Sequence, residues 1–234
     1  LEKLKRKGIK TDFVTVCSPN YLHDAHIRFG LRIGANVICE KPVVLNPWNV
    51  DALEEIEKET GNKVFTIMQL RLHPAVIALK QRIAAAPAGK IFKVNLQYIT
   101  SRGHWYQHSW KGDIEKSGGI ATNIGVHFFD MLSWIFGDVR EISVKQHSAT
   151  TASGYLGLEK ASVEWMISID ENNLPAENTN NKKSAFEIIK FVNDANDYTN
   201  GVNVQLSKPK YFSGNIFSHQ SPFYGVLSPP PRFV

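Results

Sequence analysis

The chain has 234 residues, enough for one large or two modest domains, and 43% hydrophobic against 21% charged residues is the balance of a soluble globular protein. No apolar run approaches the ~20 residues of a membrane helix, and Leu1 to Lys10 lacks the apolar centre of a signal peptide, so a cytoplasmic protein is expected. The net charge of +5 is local: Lys3, Lys5, Arg6, Lys7 and Lys10 against Glu2 put +4 on the first ten residues, which argues against nucleic acid as the main partner.

Leu1 to Gly8 reads as the last turns of a helix, with Gly8 in the capping position. Thr11 to Val16 is a β-branched strand, followed by a turn at Cys17-Ser18-Pro19-Asn20. Ser18 or Asn20 is placed to cap a helix over Leu22 to Ile33, which Gly34 ends. Asn36 to Cys39 is the next strand, and Glu40-Lys41-Pro42 stands where it must stop. Cys17 and Cys39 are the only cysteines, too few for a disulfide framework, so reduced thiols are expected. Asn46-Pro47 opens a helix to Thr60, with Gly61 just beyond, and Val64 to Leu70 is a third strand. Strand and helix alternating at this spacing predict a parallel α/β sheet.

The pattern changes near Arg71. A helix over Pro74 to about Ala85 gives way to a break at Gly89. Two strands, Ile91 to Ser101 and Ser162 to Asp170, then alternate apolar and polar residues, which predicts an antiparallel or mixed sheet with one covered face. Between them Ser117-Gly118-Gly119 leads into a helix ending near Phe136 and Gly137, with Ile120, Ile124, Phe128, Met131 and Ile135 as its buried stripe. Glu171 to Ser184 reads as a long surface turn. Ser218 to Val234 has no usable periodicity.

Three stretches carry candidate chemistry. In open α/β sheets, loops at the carboxyl ends of parallel strands hold the reactive groups, and Lys41 is fixed there ahead of a proline. Asn123 and His127, four apart, are expected on one helix face. Ser101 to Asp113 mixes Arg102, Trp105, Tyr106, Trp110 and Lys111, a composition suited to a sugar or nucleotide with anionic groups. Arg71, at a strand end, is placed either for a ligand or for a structural salt bridge. His104 and His108 have helical spacing but no supporting cysteine or carboxylate trio, so no metal is expected. No Gly-x-Gly turn occurs in the chain, nor the acid ~20 residues after it. The sequence therefore reads as a dinucleotide-binding fold without its first βαβ unit.

Glu40-Lys41-Pro42, Gly118-Gly119 and Asn123-x-Gly125-x-His127-x-x-Asp130 together resemble the Gfo/Idh/MocA oxidoreductases. Gln69 to Pro74, Trp105-Tyr106, Ser109 to Asp113 and Lys116 to Asp130 are similar to the UDP-N-acetylglucosaminuronic acid 3-dehydrogenases of surface-polysaccharide synthesis within that family. The resemblance implies an incomplete Rossmann-like domain at residues 1–72. An α+β domain with an open, largely antiparallel sheet would follow at 73–234, for substrate and for assembly as a homo-oligomer. It implies NAD as cofactor and a sugar hydroxyl, C3 of a UDP-linked N-acetylated uronic acid, as the oxidised group. Lys41 would polarise the oxygen or relay its proton, His127 would act as base, and Asn123 would orient it or bind the sugar. Ser18, Pro19, Asn20, His23, Glu40 and Gln69 would line the cofactor. Arg71, Arg102, Trp105, Tyr106, Lys111 and Lys116 would meet the substrate. A non-catalytic sugar-nucleotide-binding or oligomerising module, and a relative acting on a free sugar or cyclitol, are the rival readings.

Overall fold

The computed structural model describes residues 3, 6–100, 102–173, 186–192 and 202–204. Lys3 and Arg6 are helical and Gly8 lies at φ +73°, the left-handed conformation expected of a helix-ending glycine. Strand β1 (Phe13–Val16) is followed by a 3-10 turn at Asn20–Leu22 and helix α1 (His23–Arg32). Neither Ser18 nor Asn20 caps this helix. Their side chains are drawn elsewhere, Ser18 to His26 and Asn20 into the second half of the molecule. Strand β2 (Asn36–Cys39), helix α2 (Trp48–Thr60) and strand β3 (Val64–Thr66) complete a three-stranded parallel sheet ordered β1-β2-β3. Gly61 ends α2 in the left-handed region, as its place in the sequence predicts.

The third strand is shorter than its apolar run. Residues Gln69–Leu72 form a 3-10 turn instead, which carries the chain out of the sheet toward helix α3 (Pro74–Ala84). Val16, Ile27, Leu31, Val37, Cys39, Leu53, Ile56 and Val64 are the buried centre of this half. Burial and the adjoining Glu40 push the Cys39 thiol up to about 12, so it packs as an inert apolar group, while Cys17 is exposed.

Strand β4 (Phe92–Ile99) begins the second half. Short helices α4 (His104–His108), α5 (Ile114–Ser117) and α6 (Gly119–Asn123) and the longer α7 (Gly125–Phe136) follow. Strands β5 (Val139–His147), β6 (Thr151–Leu158), β7 (Ala161–Ser168), β8 (Phe186–Val192) and β9 (Val202–Val204) then form with β4 a sheet ordered β5-β6-β7-β4-β8-β9. Only β4 and β7 pair parallel; the other four pairings are antiparallel. The two alternating strands foreseen from sequence are thus direct neighbours. Their covered face carries Phe92, Val94, Leu96, Val163, Trp165 and Ile167, packed against the stripe Ile120, Ile124, Phe128, Met131 and Ile135.

The helix expected to run unbroken from Gly119 to Phe136 is two helices, divided at Ile124 (φ −107°). The same apolar stripe passes through both, so the break leaves no mark in the periodicity. Gly125 opens α7 in close quarters: a methyl there would lie 2.7 Å from the Phe129 ring and 2.9 Å from Ile167, so a neighbour would have to shift. Its role is close packing against β7. Of the predicted surface turn, Glu171–Asn173 forms a 3-10 turn and the rest lies outside the described residues, as does the segment after Val204. No helix among the described residues is long and apolar enough to cross a membrane.

Candidate active site

Parallel pairing in register (Val16 beside Cys39, Cys39 beside Thr66) brings three carboxyl strand ends to one edge. Ser18-Pro19-Asn20, Glu40-Lys41-Pro42 and Gln69 follow those ends, and the Lys41–Pro42 peptide is cis. Helices α5 to α7 meet this edge from the other half. Lys41 Nζ donates to the Asn123 carbonyl at 2.5 Å and, more weakly, to its side-chain oxygen at 3.5 Å. Asn20, 4% exposed, donates to the Ser117 carbonyl at 2.9 Å and to the same Asn123 oxygen at 3.3 Å. Asn123 in turn donates from Nδ2 to the Tyr106 hydroxyl at 3.2 Å.

The electrostatics of the two central groups run in one direction. Burial pushes Lys41 below its ordinary value, Glu40 pulls it back up, and Lys111 and Arg102 add to the lowering. Burial, with Lys41 nearby, pushes His127 down to about 3, so its imidazole stands neutral. The buried Nδ1 of His127 has no hydrogen-bond partner, one of two such side-chain atoms among the described residues; the other is Oγ1 of Thr66 at the end of β3. A buried polar atom left unpaired costs stability unless a ligand completes it.

The other expected site residues divide by what they touch. His23, 1% exposed, faces the Pro42 carbonyl from Nδ1 at 2.6 Å and the Ser18 carbonyl from Nε2 at 2.8 Å. It therefore braces the Lys41–Pro42 turn against the end of β1. Ser18 Oγ lies 2.9 Å from His26 Nδ1, and Pro19, Glu40 and Gln69 remain at the open edge. Arg71 is committed to Asp130, donating from Nε at 2.8 Å and from Nη2 at 2.5 Å, with Asp130 buried. This is the salt-bridge alternative of its sequence reading.

Trp105 is exposed and meets buried Tyr106 edge-on, the ring centroids 5.7 Å apart. Lys111 Nζ lies 5.5 Å from the Trp105 ring and 5.6 Å from that of Trp110, and Arg102 lies 6.0 Å from the Tyr106 ring. Exposed Lys116 pairs with Asp113 at 2.9 Å. Helical spacing suggested a pair of Asn123 and His127, but no hydrogen bond reaches the His127 Nδ1, and the Asn123 side chain bonds Lys41, Asn20 and Tyr106.

Three contributors escaped the sequence reading. The Ser117 carbonyl receives Asn20 across the junction, and no side-chain pattern announces a backbone acceptor. Thr66 stood inside the run Val64 to Leu70 and becomes a strand end only because β3 stops there. His147, at the end of β5, lies beside Gly119: a methyl on that glycine would stand 3.4 Å from the ring.

Residues 1–68 match the family model described as the NAD-binding Rossmann fold of an oxidoreductase family, and residues 80–187 match that of its C-terminal alpha/beta domain. The WlbA (WbpB) dehydrogenase from Thermus thermophilus, solved in complex with NAD and alpha-ketoglutarate, is 41% identical with a TM-score of 0.79. The match covers 88% of this chain and 64% of that one. The same enzyme in complex with NAD and UDP-GlcNAcA gives 44% identity and a TM-score of 0.77, over 82% of this chain and 62% of that one. Inositol 2-dehydrogenase of Rhizobium meliloti is 29% identical over 146 residues, 62% of this chain and 42% of that protein. The chain thus spans less than two thirds of the length of these relatives. Both parts of one family pattern stand in order along it, and the chain belongs to the Gfo/Idh/MocA oxidoreductases.

Proposed function

We propose that this chain carries the reaction centre of an NAD-dependent dehydrogenase that oxidises a ring hydroxyl, C3, of a UDP-linked N-acetylated uronic acid. The observation that carries the reading is the junction itself. A desolvated lysine and a neutral histidine with an unpaired buried nitrogen stand together at three parallel strand ends. Oxidising an alcohol requires a group to receive the hydroxyl proton and a group to hold that oxygen in place.

Burial lowers Lys41 and so favours its neutral amine over the ammonium, and in this reading that amine takes the proton. A conjugate acid near 3 makes His127 a poor proton acceptor near neutral pH, so its ring holds the hydroxyl by hydrogen bonding. We therefore take Lys41 rather than His127 as the base. Ser18, Pro19, Glu40 and Gln69, at the open edge, would hold the ribose and nicotinamide side of NAD, which accepts hydride from the carbinol carbon when bound. The unpaired Thr66 oxygen at the same edge fits a polar ligand there. Arg102, Trp105 and Lys111 offer a flat ring and two cations to an anionic sugar nucleotide.

We read residues 1–72 as the cofactor half and 73–234 as the half for substrate and a second subunit. The second subunit would meet the face of the six-stranded sheet that carries Lys93 and Glu164, and a strict monomer on sedimentation would reject that contact. Likeness to an enzyme solved with UDP-GlcNAcA and NAD supports the substrate class, and likeness to one solved with alpha-ketoglutarate supports a 2-oxo acid as the final hydride acceptor. The test is incubation of the intact protein with UDP-GlcNAcA, NAD and alpha-ketoglutarate. Loss of two hydrogens from the sugar nucleotide by mass spectrometry is the expected result. Turnover of free inositol with none of the sugar nucleotide would overturn the substrate.

A further inference from the structure

Asn123 closes α6, is 6% exposed, and is one point where the two halves of the molecule meet. Its backbone carbonyl and its side-chain oxygen both receive Lys41 Nζ, at 2.5 and 3.5 Å. The side-chain oxygen also receives Asn20 Nδ2, and the amide NH₂ donates to Tyr106. A tetrahedral nitrogen with two of its positions directed at one residue has little rotational freedom left. Its remaining position, lone pair or proton, has a fixed direction. Resting on the reading of Lys41 above, we propose that Asn123 is a positioning residue that seats the Lys41 amine with two acceptor oxygens and, being uncharged, leaves the pH range in which Lys41 can take the substrate proton to the charges around it.

The charges that face Lys41 are few. Glu40, its chain neighbour, favours the ammonium form; Lys111 and Arg102 oppose it; His127, on α7, is itself affected by Lys41 and stands neutral. Asn123 is the group in direct contact, and being an amide it leaves this balance untouched. A carboxylate of the same shape would accept from Lys41 and Asn20 as the amide does. Its second oxygen would accept the Tyr106 hydroxyl proton where the amide now donates. The hydrogen-bond geometry would survive and only the charge would change. That anion, in contact with Lys41, would hold a proton on it, typically raising such a pKa by about 1 unit or more.

Asn123→Asp in the intact protein tests this without relying on turnover. Lys41 is labelled with acetic anhydride across pH and its modification is read by peptide mass spectrometry. The midpoint should move up by about 1 pH unit or more. The rising limb of kcat/KM for sugar oxidation should move with it, KM should stay within about threefold, and the melting temperature should hold. Asn123→Ala, which buries no charge, should keep the labelling midpoint near that of the parent while kcat falls about tenfold, because the lysine keeps only the backbone half of its seat. An unmoved midpoint in a folded Asn123→Asp protein, or an unchanged kcat in Asn123→Ala, would overturn the proposal. A shifted midpoint in a protein that oxidises no sugar nucleotide would uphold the seat of Lys41 and reject the substrate reading instead.

Discussion

Two polar bridges join the halves of this molecule, and they are built on opposite principles. Arg71 and Asp130 form a closed bridge: two parallel hydrogen bonds, opposite charges, the carboxylate buried. Lys41, Asn20 and Asn123 form an open one, in which a lysine is held by neutral oxygens and the nearby His127 nitrogen has no partner. A bidentate Arg–carboxylate pair gives each carboxylate oxygen a charge-assisted donor. The open bridge is electrostatically unfinished, since among the described residues its lysine meets no carboxylate at contact and it is pushed toward neutrality. Saturated polar contacts hold a structure, and unsaturated ones at a cleft are where a ligand is expected to finish them.

The comparison breaks first at Lys41. Lys41→Met keeps the stem and removes the amine. Turnover should fall ~10²–10⁴-fold while sugar-nucleotide affinity changes by less than about tenfold, because a general base acts on charge that develops only in the transition state. The melting temperature should hold or rise, since a desolvated amine is removed. Steady-state kinetics and a thermal melt on one preparation decide it; an early melt with normal turnover would place Lys41 with the closed bridge.

Arg71 should behave in the opposite way. Arg71→Met leaves the Asp130 carboxylate buried without its partner, and breaking such a pair costs about 3–5 kcal/mol of stability. Activity per folded molecule should stay near that of the parent. Arg71→Lys keeps the charge but loses the two-pronged geometry and should fall between the two. Denaturant unfolding of the three proteins measures the order, and equal stability with a raised KM would move Arg71 to the substrate.

How much of this contrast is legible in sequence follows from what each feature leaves there. The strand–helix rhythm of the first 70 residues shows because glycines such as Gly34 and Gly61 mark helix ends and strands end at polar loops. β4 and β7 show because one face is covered and their residues alternate. β5 leaves no such pattern: almost every residue in it is exposed, so nothing alternates. β6 is hidden by small residues, among them Gly154, whose missing side chain makes room for the Trp165 ring. Lys41 stood out by its place at a strand end. Its partner Asn123 lies 82 residues away and that of Arg71 lies 59 away, and no local spacing encodes such pairs. Helical spacing pointed Asn123 at His127, while its side chain bonds Lys41, Asn20 and Tyr106.

His127 ties the open bridge to pH. Its folded-state value near 3 lies below the ordinary 6.5. As pH falls below about 6.5 the unfolded chain binds a proton here that the folded chain refuses, so stability present above 6.5 is lost progressively down to about 3. His127→Asn should flatten that acid limb in melts taken from pH 7 to 4, and should lower turnover by roughly 10²-fold through misplacement of the hydroxyl it holds. An unchanged acid limb would show that the ring takes up its proton in the folded state.

The smallest effect belongs to Gly125, whose place between the two bridges invites a functional reading that packing already explains. A methyl added there meets the Phe129 ring at 2.7 Å and the end of Ile167 at 2.9 Å. Both atoms belong to side chains, and the Ile167 methyl is the far end of a flexible one, so part of the clash relaxes. Overpacking of this kind costs ~1–3 kcal/mol. Phe129 also packs edge-on against Trp165 with centroids 5.0 Å apart, so the displacement passes into the covered face of the sheet rather than toward Lys41. Gly125→Ala should therefore lower the denaturation midpoint while leaving KM, kcat and the pH of the rising limb in place. A normal midpoint with a raised KM would mean instead that a ligand needs the space above that glycine.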